Sequence, residues 1–569
     1  MATTTKTIQL NPTAHAAPHS TTHWTDQKSS TLGISNLGGG LDRGPLGCGS
    51  RNPSNPSNPT GIAKNSILSR MGVMALSGVA LALFGCARPE PALSPEQSAE
   101  LANAADAKAS EAQALARFIQ TGQSTLVILD ADDRTPLAGV RVMVGDREGS
   151  PFQGNVLTTG ASGEVLVPAD WTAAAPVTID GAKSVRTSFM SVVPTPRLEL
   201  LVREARAPRR LELKGKTTGF GTLQQDGIAD VGMVFPALQR SELSRLQISS
   251  LISPEMDSIT VLGRTVELPS NLTLPQQTES YIFPITLDKP SYRMYFQNSG
   301  TQKVTAAHAQ FPFREVVDSA RSGASPFDLL KYITFKGASV RDVRISSSTQ
   351  SADLTVDSIS FGSTIPFTAP NFSASNQRLL AIALMSTGGV LIPTDIKSVD
   401  PRQSLNLTSS GRSSQALVVS MLRESNNQAT AGAKSEEFSA TIQKGNQSSG
   451  LEPLPLIQAP SFRNSVLTLS PPRNPRGLSD VMTYAALNKI QSVGSGSTKL
   501  DVKELEWEVY APGWMSRIDL PQMPGSSVPR QNRRWEAAFL GEPSGGQTPP
   551  VGPEALNDIT HVTRSAVDL

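Results

Sequence analysis

Hydrophobic and polar positions follow three different periods along this chain. From Met71 to Gly85 there is no period at all: MGVMALSGVALALFG is an uncharged apolar run of 15 residues, with Arg70 before it and Cys86 after it. From Pro95 to Gln120 the residues are mostly Ala, Leu, Glu, Gln and Lys, which favour helix. Ser94-Pro95-Glu96-Gln97 supplies an N-cap, a proline at the first helical position and a capping-box partner, and Gly122 stands where a left-handed terminator belongs. The large apolar residues of this stretch are Leu101, Leu115, Phe118 and Ile119, so the pattern predicts a helical stalk buried only at its last turns.

From Thr125 the period becomes two. Thr125–Leu129, Val140–Val144, Glu164–Val167 and Leu198–Val202 read as strands separated by turns at Asp130–Asp133 and Thr158–Gly163. A basic stretch follows, with Arg206, Arg209, Arg210, Lys214 and Lys216, and reads as a solvated linker. Strands are expected at Ser258–Leu268, Tyr281–Leu287, Tyr292–Gln297 and Thr301–Ala307, and short helices at Phe313–Ser322 and Pro326–Ile333, the second capped by Ser325. Leu354–Phe361, Leu379–Met385, Ala416–Leu422 and Leu500–Val509 are further strands, the last with a bulge near Glu504; Ser425–Ala433 reads as a polar loop.

Two stretches resemble known families. Arg70, the apolar run and Leu83-Phe84-Gly85-Cys86 resemble a bacterial lipoprotein signal; the run is shorter than the roughly 20 residues of a spanning helix. The resemblance implies cleavage between Gly85 and Cys86, lipidation of Cys86 with palmitate among the acyl chains, and a membrane partner held through that anchor. Ala87 in place of an aspartate implies the outer membrane, on a face the sequence does not specify. Residues 1–70 are polar and turn-rich, so they are expected to be disordered and the true start to lie near Leu68. The order strand, acidic turn, Pro136-Leu137-Ala138-Gly139-Val140-Arg141-Val142, Thr158-Thr159-Gly160-Ala161-Ser162-Gly163, strand resembles the transthyretin-like sandwich of carboxypeptidase regulatory domains, usually an accessory module.

The expected fold is therefore mainly β: tandem β-sandwich domains, Ig-like or transthyretin-like, behind an N-terminal helix and a signal segment. The divisions are 1–70 disordered, 71–85 signal, 86–122 anchor and stalk, 123–205 carboxypeptidase regulatory-like, 206–345 β-rich with two helices, 346–540 sandwich-like and 541–569 disordered.

Composition narrows function mainly by exclusion. Of 51 basic and 49 acidic residues, six and two precede Ala87, which leaves 45 against 47. A near-neutral surface does not suit general nucleic-acid binding. Cys48 and Cys86 are the only cysteines, and Cys48 precedes the expected cleavage point, so the mature form has no intrachain disulfide and no cysteine zinc site.

Candidate chemistry is sparse, and neither a metal nor a cofactor is expected. His308 and His561 are the only histidines after Cys86; His308 reads as a satisfied sheet residue and His561 falls in the tail. No hydrolase or P-loop motif is present, and Gly494–Lys499 reads as a turn. Asp130, Asp132, Asp133 and the pair Asp226 and Asp230 read as turn chemistry in place of calcium ligands. Trp514 and Trp535 are weak candidates for sugar stacking, whereas Trp507 reads as core. With no catalytic residue assigned, the leading expectation is a non-enzymatic envelope lipoprotein meeting a protein or glycan partner. The alternatives are a glycan-binding adhesin or a glycan hydrolase with paired carboxylates.

Overall fold

The computed structural model describes residues 94–569 except for short segments, of which 239–255, 275–288 and 423–436 are the longest. The signal segment with Gly85 and Cys86, the expected strand Tyr281–Leu287, the cap Ser325, Asp226, and the turns Ser425–Ala433 and Gly494–Lys499 lie outside the described residues.

The helix spans Pro95–Thr121. The Ser94 hydroxyl accepts from the Gln97 amide at 3.2 Å and the Gln97 side chain accepts from the Ser94 amide at 3.1 Å, so both halves of the capping box form. Gly122 ends it in the left-handed conformation. Its packing is confined to the last turns, but not through the large residues expected: Leu115 and Ile119 are 48% and 73% exposed, Phe118 is half-buried and Ala114 is the buried residue. The helix docks by a small-residue side because the sheet beneath already fills its own outer face with Val127, Leu129 and Leu201, and Arg197 reaches up to Ser110 at 2.9 Å.

The remainder is mainly β, as the alternating runs require. Strands Glu164–Val167, Ser124–Asp130 and Arg197–Val202 form one layer of a first sandwich. Strands Ser184–Val192, Ala175–Gly181, Arg141–Val144 and Val156–Thr158 form the other. Leu126, Ile128, Val142, Val177 and Phe189 fill the space between. Gly163 has φ +71° and packs against the Ile128 carbonyl, where a Cβ would lie 2.6 Å from that oxygen. The glycine of the turn before Glu164–Val167 is thus needed for conformation and for close approach.

A second sandwich runs from Leu211 to Ser360. Its small sheet is Ser291–Phe296, Leu211–Thr218 and Thr349–Ser351, with Leu354–Thr355 also paired to Leu211–Thr218; its large sheet is Leu272–Thr273, Ile228–Pro236, Gly300–Pro312, Thr334–Ile345 and Ile359–Ser360. Leu213, Tyr292, Val304 and Ile345 form the core between them. The basic stretch is therefore not all linker: Lys214 and Lys216 are exposed positions of Leu211–Thr218, alternating with buried Leu213 and Gly215. The expected strand Ser258–Leu268 is a hairpin of Met256–Val261 and Arg264–Pro269. Helix Phe313–Arg321 lies between Gly300–Pro312 and Thr334–Ile345 of the large sheet, and Pro326–Leu329 continues as a 3-10 turn over Leu330–Tyr332.

The sandwiches do not simply follow one another, because a single 12-stranded sheet runs through most of the body. Its order is Val390–Val399, Gln377–Thr387, Ser414–Leu422, Phe438–Ile442, His561–Asp568, Arg533–Pro543, Leu478–Val493, Leu500–Pro512, then the four strands of the first sandwich. The join to the first sandwich is parallel, from Trp507 opposite Arg186 to Tyr510 opposite Phe189. The ladder between Leu478–Val493 and Leu500–Pro512 slips between Leu487 and Asn488 and skips Glu506, two residues beyond the expected bulge.

The expected boundary at 346 needs correction, since the chain as far as Ser360 belongs to the second sandwich; the rest of the expected unit 346–540 holds two cores on one face of this sheet. One, with Phe367, Leu379, Leu407 and Val418, is closed by the hairpin of Ser363–Thr368 and Ser404–Ser409. The other, with Leu467, Trp507, Ile518, Trp535 and Phe539, is closed by Ser461–Arg463, Val466–Thr468 and Arg517–Asp519.

The expected disordered tail also needs correction. His561–Asp568 is an interior strand, antiparallel to both Phe438–Ile442 and Arg533–Pro543. Its sequence looks weakly hydrophobic because the buried positions Thr563, Arg564 and Ser565 are polar, and the first two of these find partners. Arg564 is 1% exposed, lies 3.7 Å from Glu536, and stacks over the Phe438 ring at 4.7 Å. Thr563 donates to the Pro455 carbonyl at 2.9 Å.

Candidate functional site

The two tryptophans considered for ligand stacking are not free to stack. Trp535 is completely buried, its ring 6.0 Å from Trp507 and 5.9 Å from Phe462. It alternates with Arg534 and Glu536 along a strand covered on both faces, so its exposure cannot be inferred from the polar residues beside it. Trp514 is half-buried, donates its indole N–H to the Leu540 carbonyl at 2.9 Å, and meets Phe539 edge-on.

Chemistry concentrates instead in a charged row on the opposite face of the long sheet. Glu508 and Glu536 flank Ala486 from the two strands beside Leu478–Val493. With strands about 4.8 Å apart, their backbones lie roughly 10 Å from one another. Glu508 is fully buried; it accepts from the Tyr484 hydroxyl at 2.7 Å and pairs with Arg203 at 3.2 Å. Burial pulls the Arg203 pKa down, but Glu508, Tyr510 and Tyr484 together lift it above the ordinary arginine value. Glu536 is bonded to Lys503 and faces Arg564. Phe189 stacks on Tyr510 with ring centres 5.5 Å apart, and Tyr510 leans on Tyr484 at 5.4 Å.

This is the arrangement a hydrolase pair would need in outline, two carboxylates on one face. Each is closed over by a cation and by neighbouring strands: Glu508 by Arg203 of the first sandwich, Glu536 by Lys503 and Arg564 of its own sheet. The sequence does not announce the row, because Arg203 and Glu508 stand far apart in the chain. The signal available is Glu508 itself, an acidic residue in phase with Tyr510 on a strand buried on both faces.

A second cluster lies in the second sandwich. Asp230 accepts from His308 Nε2 at 2.8 Å and from Gln310 at 2.9 Å. Burial would raise the Asp230 carboxyl, but the hydrogen bonds from His308 and Gln310 hold it below its ordinary value. Phe220 meets the imidazole edge-on at 5.3 Å. Beside them Thr217 is hydrogen-bonded to Thr273, over Gly232, where a Cβ would lie 2.3 Å from the Thr273 hydroxyl. His308 is thus a sheet residue with its Nε2 bonded, and Asp230 is its partner, on a strand and not in a turn. At the acidic turn, the Asp132 amide donates to Asp130 at 2.7 Å and the Thr135 amide to Asp133 at 2.9 Å, which is turn geometry. Among the described residues no group of three or more His, Cys, Asp or Glu side chains is placed to hold a metal. A cavity of about 220 Å³ is lined by Phe462, Arg463, Asn464 and Leu569 and holds no acid–base pair.

Neither a family model nor a curated protein matches the chain. Among solved structures, the TIE protein of Bacillus anthracis aligns at 10% identity over 54% of this chain and 45% of its own, with a TM-score of 0.13. The chain therefore spans less than half of that protein. BcpA, the major pilin subunit of Bacillus cereus, aligns at 9% identity over 57% of this chain and 96% of its own, with a TM-score of 0.12. Likeness at these scores carries no argument about function.

Proposed function

We propose that this protein is a non-enzymatic bacterial lipoprotein of the cell envelope, tethered to the outer membrane through acylated Cys86 and acting in structure or in contact with a protein or glycan. The supporting observation is the helix that follows Cys86 closely in the chain. It is fully capped at Ser94, and every side chain described from Glu96 to Ala109 is exposed. At 1.5 Å per residue its 27 residues extend about 40 Å, and a helix solvated on all sides over its first half suits a spacer between an anchor and a folded body. The first sandwich is read as a carboxypeptidase regulatory-like accessory module, and the charged row that ties it to the long sheet favours a rigid body over a catalytic cleft.

Metabolic labelling with a palmitate analogue tests the anchor. The wild type takes up label and fractionates with membranes, and Cys86→Ser does neither. Label on the variant, or a soluble wild type, overturns the reading. A glycan array with the Ala87–Leu569 protein separates a glycan partner from a protein partner.

A further inference from the structure

We propose that the His561–Asp568 strand is an acid-sensitive splice: protonation of His561 loosens this end of the strand and uncouples the sandwich over 361–442 from the one over 461–569. The strand is what makes those two units continuous, since among the described strands it alone pairs with both Phe438–Ile442 and Arg533–Pro543. His561 is its half-buried first residue, opposite Thr441 on one side and Gly541 on the other. Two backbone bonds seat this end: Ile442 donates to the Thr560 carbonyl at 2.9 Å, and Thr560 donates to the Gly541 carbonyl at 3.1 Å.

The imidazole is poorly provided for as a cation. Its Nδ1 meets the Thr560 hydroxyl at 2.8 Å, and among the described residues no carboxylate is in ion-pair contact with it. Phe438–Ile442 carries no titratable side chain. On Arg533–Pro543, alternation puts Arg534, Glu536 and Glu542 on the face away from His561, while Arg533 is at the far end, bonded to Glu506. On its own strand Arg564 and Asp568 also point to the other face, and Asp568 pairs with Arg534. Asp480 stands opposite Gly541 on the next strand along, exposed and, at two strand spacings, roughly 10 Å from the His561 backbone. The segment covering the His561 face brings Glu452, whose backbone carbonyl accepts from Thr441 and whose side chain is exposed. Burial accordingly lowers the His561 pKa to about 4. A histidine held neutral in the closed strand and free to titrate in the open one favours opening as pH falls from about 6.5 to about 4.

Hydrogen exchange of the full chain, corrected for intrinsic rates, reads this directly. Between pH 7 and about pH 4, amides at the Thr560–Thr563 end and on Phe438–Ile442 are expected to lose roughly a hundredfold in protection beyond any loss in Ser124–Asp130. The control is His561→Gln, which keeps a polar side chain without the charge and abolishes the difference. An equal loss in the variant, or a loss shared by Ser124–Asp130, overturns the proposal. Should the variant fail to fold, an NMR titration of the wild-type imidazole decides instead: a midpoint below about 5.5 supports the splice, and one at or above it refutes it.

Discussion

Arg203 and Glu508 meet at 3.2 Å where the first sandwich runs into the long sheet, one just past the end of Arg197–Val202 and the other well inside Leu500–Pro512. Removing one partner leaves the other charge buried, which costs about 3–5 kcal/mol. Glu508→Ala is therefore expected to lower the denaturation free energy by that amount. The double replacement Arg203→Met with Glu508→Leu should cost clearly less than the sum of the singles, and additive losses in a denaturant double-mutant cycle would contradict the pairing.

Burial distinguishes the tryptophans in the same way. Trp535→Ala removes a fully enclosed indole and is expected to destabilise by about 3–5 kcal/mol. Trp514→Ala, half-buried and held by one hydrogen bond, should cost roughly half as much. Urea unfolding of both variants checks the order, and a reversed order would contradict the packing described.

Local chemistry is the legible part of this chain. Ser94 and Gln97 stand three residues apart, so their capping box needs nothing from the rest of the molecule, and the strands near Thr125 and Leu379 follow from alternation or unbroken apolarity. Pairing between distant strands is not legible. Nothing in Trp507 or Arg186 says that they lie side by side, and the 561–568 strand is hidden because Arg564, Thr563 and Ser565 occupy positions usually held by aliphatic residues. The candidate site is obscured for the same reason: Asp230 reads as turn chemistry until His308 and Gln310 are brought to it across the sheet.

Gly163 tests a position where conformation and space act together. Gly163→Ala places a methyl against the Ile128 carbonyl at φ +71° and should destabilise by about 1–3 kcal/mol. Gly139→Ala, also left-handed but with nothing within 4 Å, should cost less. Thermal unfolding of the pair isolates the contribution of the close approach.

The helix cap is expected to act locally. Ser94→Ala removes the acceptor of the Gln97 amide, at a cost of about 1 kcal/mol to the first turns. Because the described side chains of that half of the helix are exposed, amide exchange over 96–100 should accelerate while the global unfolding midpoint stays put. A shifted midpoint would mean that the first turns are packed in the folded protein.

Asp395 supplies a further pH dependence. It is 1% exposed, and burial raises its pKa above the ordinary carboxyl value even though Lys397 at 3.6 Å and the Thr408 and Ile396 amides oppose the rise. Below the ordinary value both states are protonated. As pH climbs past it the unfolded chain ionises first, so the folded state loses stability until its own, higher pKa is passed. Asp395→Asn cannot ionise and should flatten the stability profile in the window above pH 3.8, at the expense of one amide bond at every pH. Denaturant midpoints measured across that window decide the matter: a profile that rises with pH in the wild type relative to the variant would show that Lys397, and not burial, governs this carboxyl.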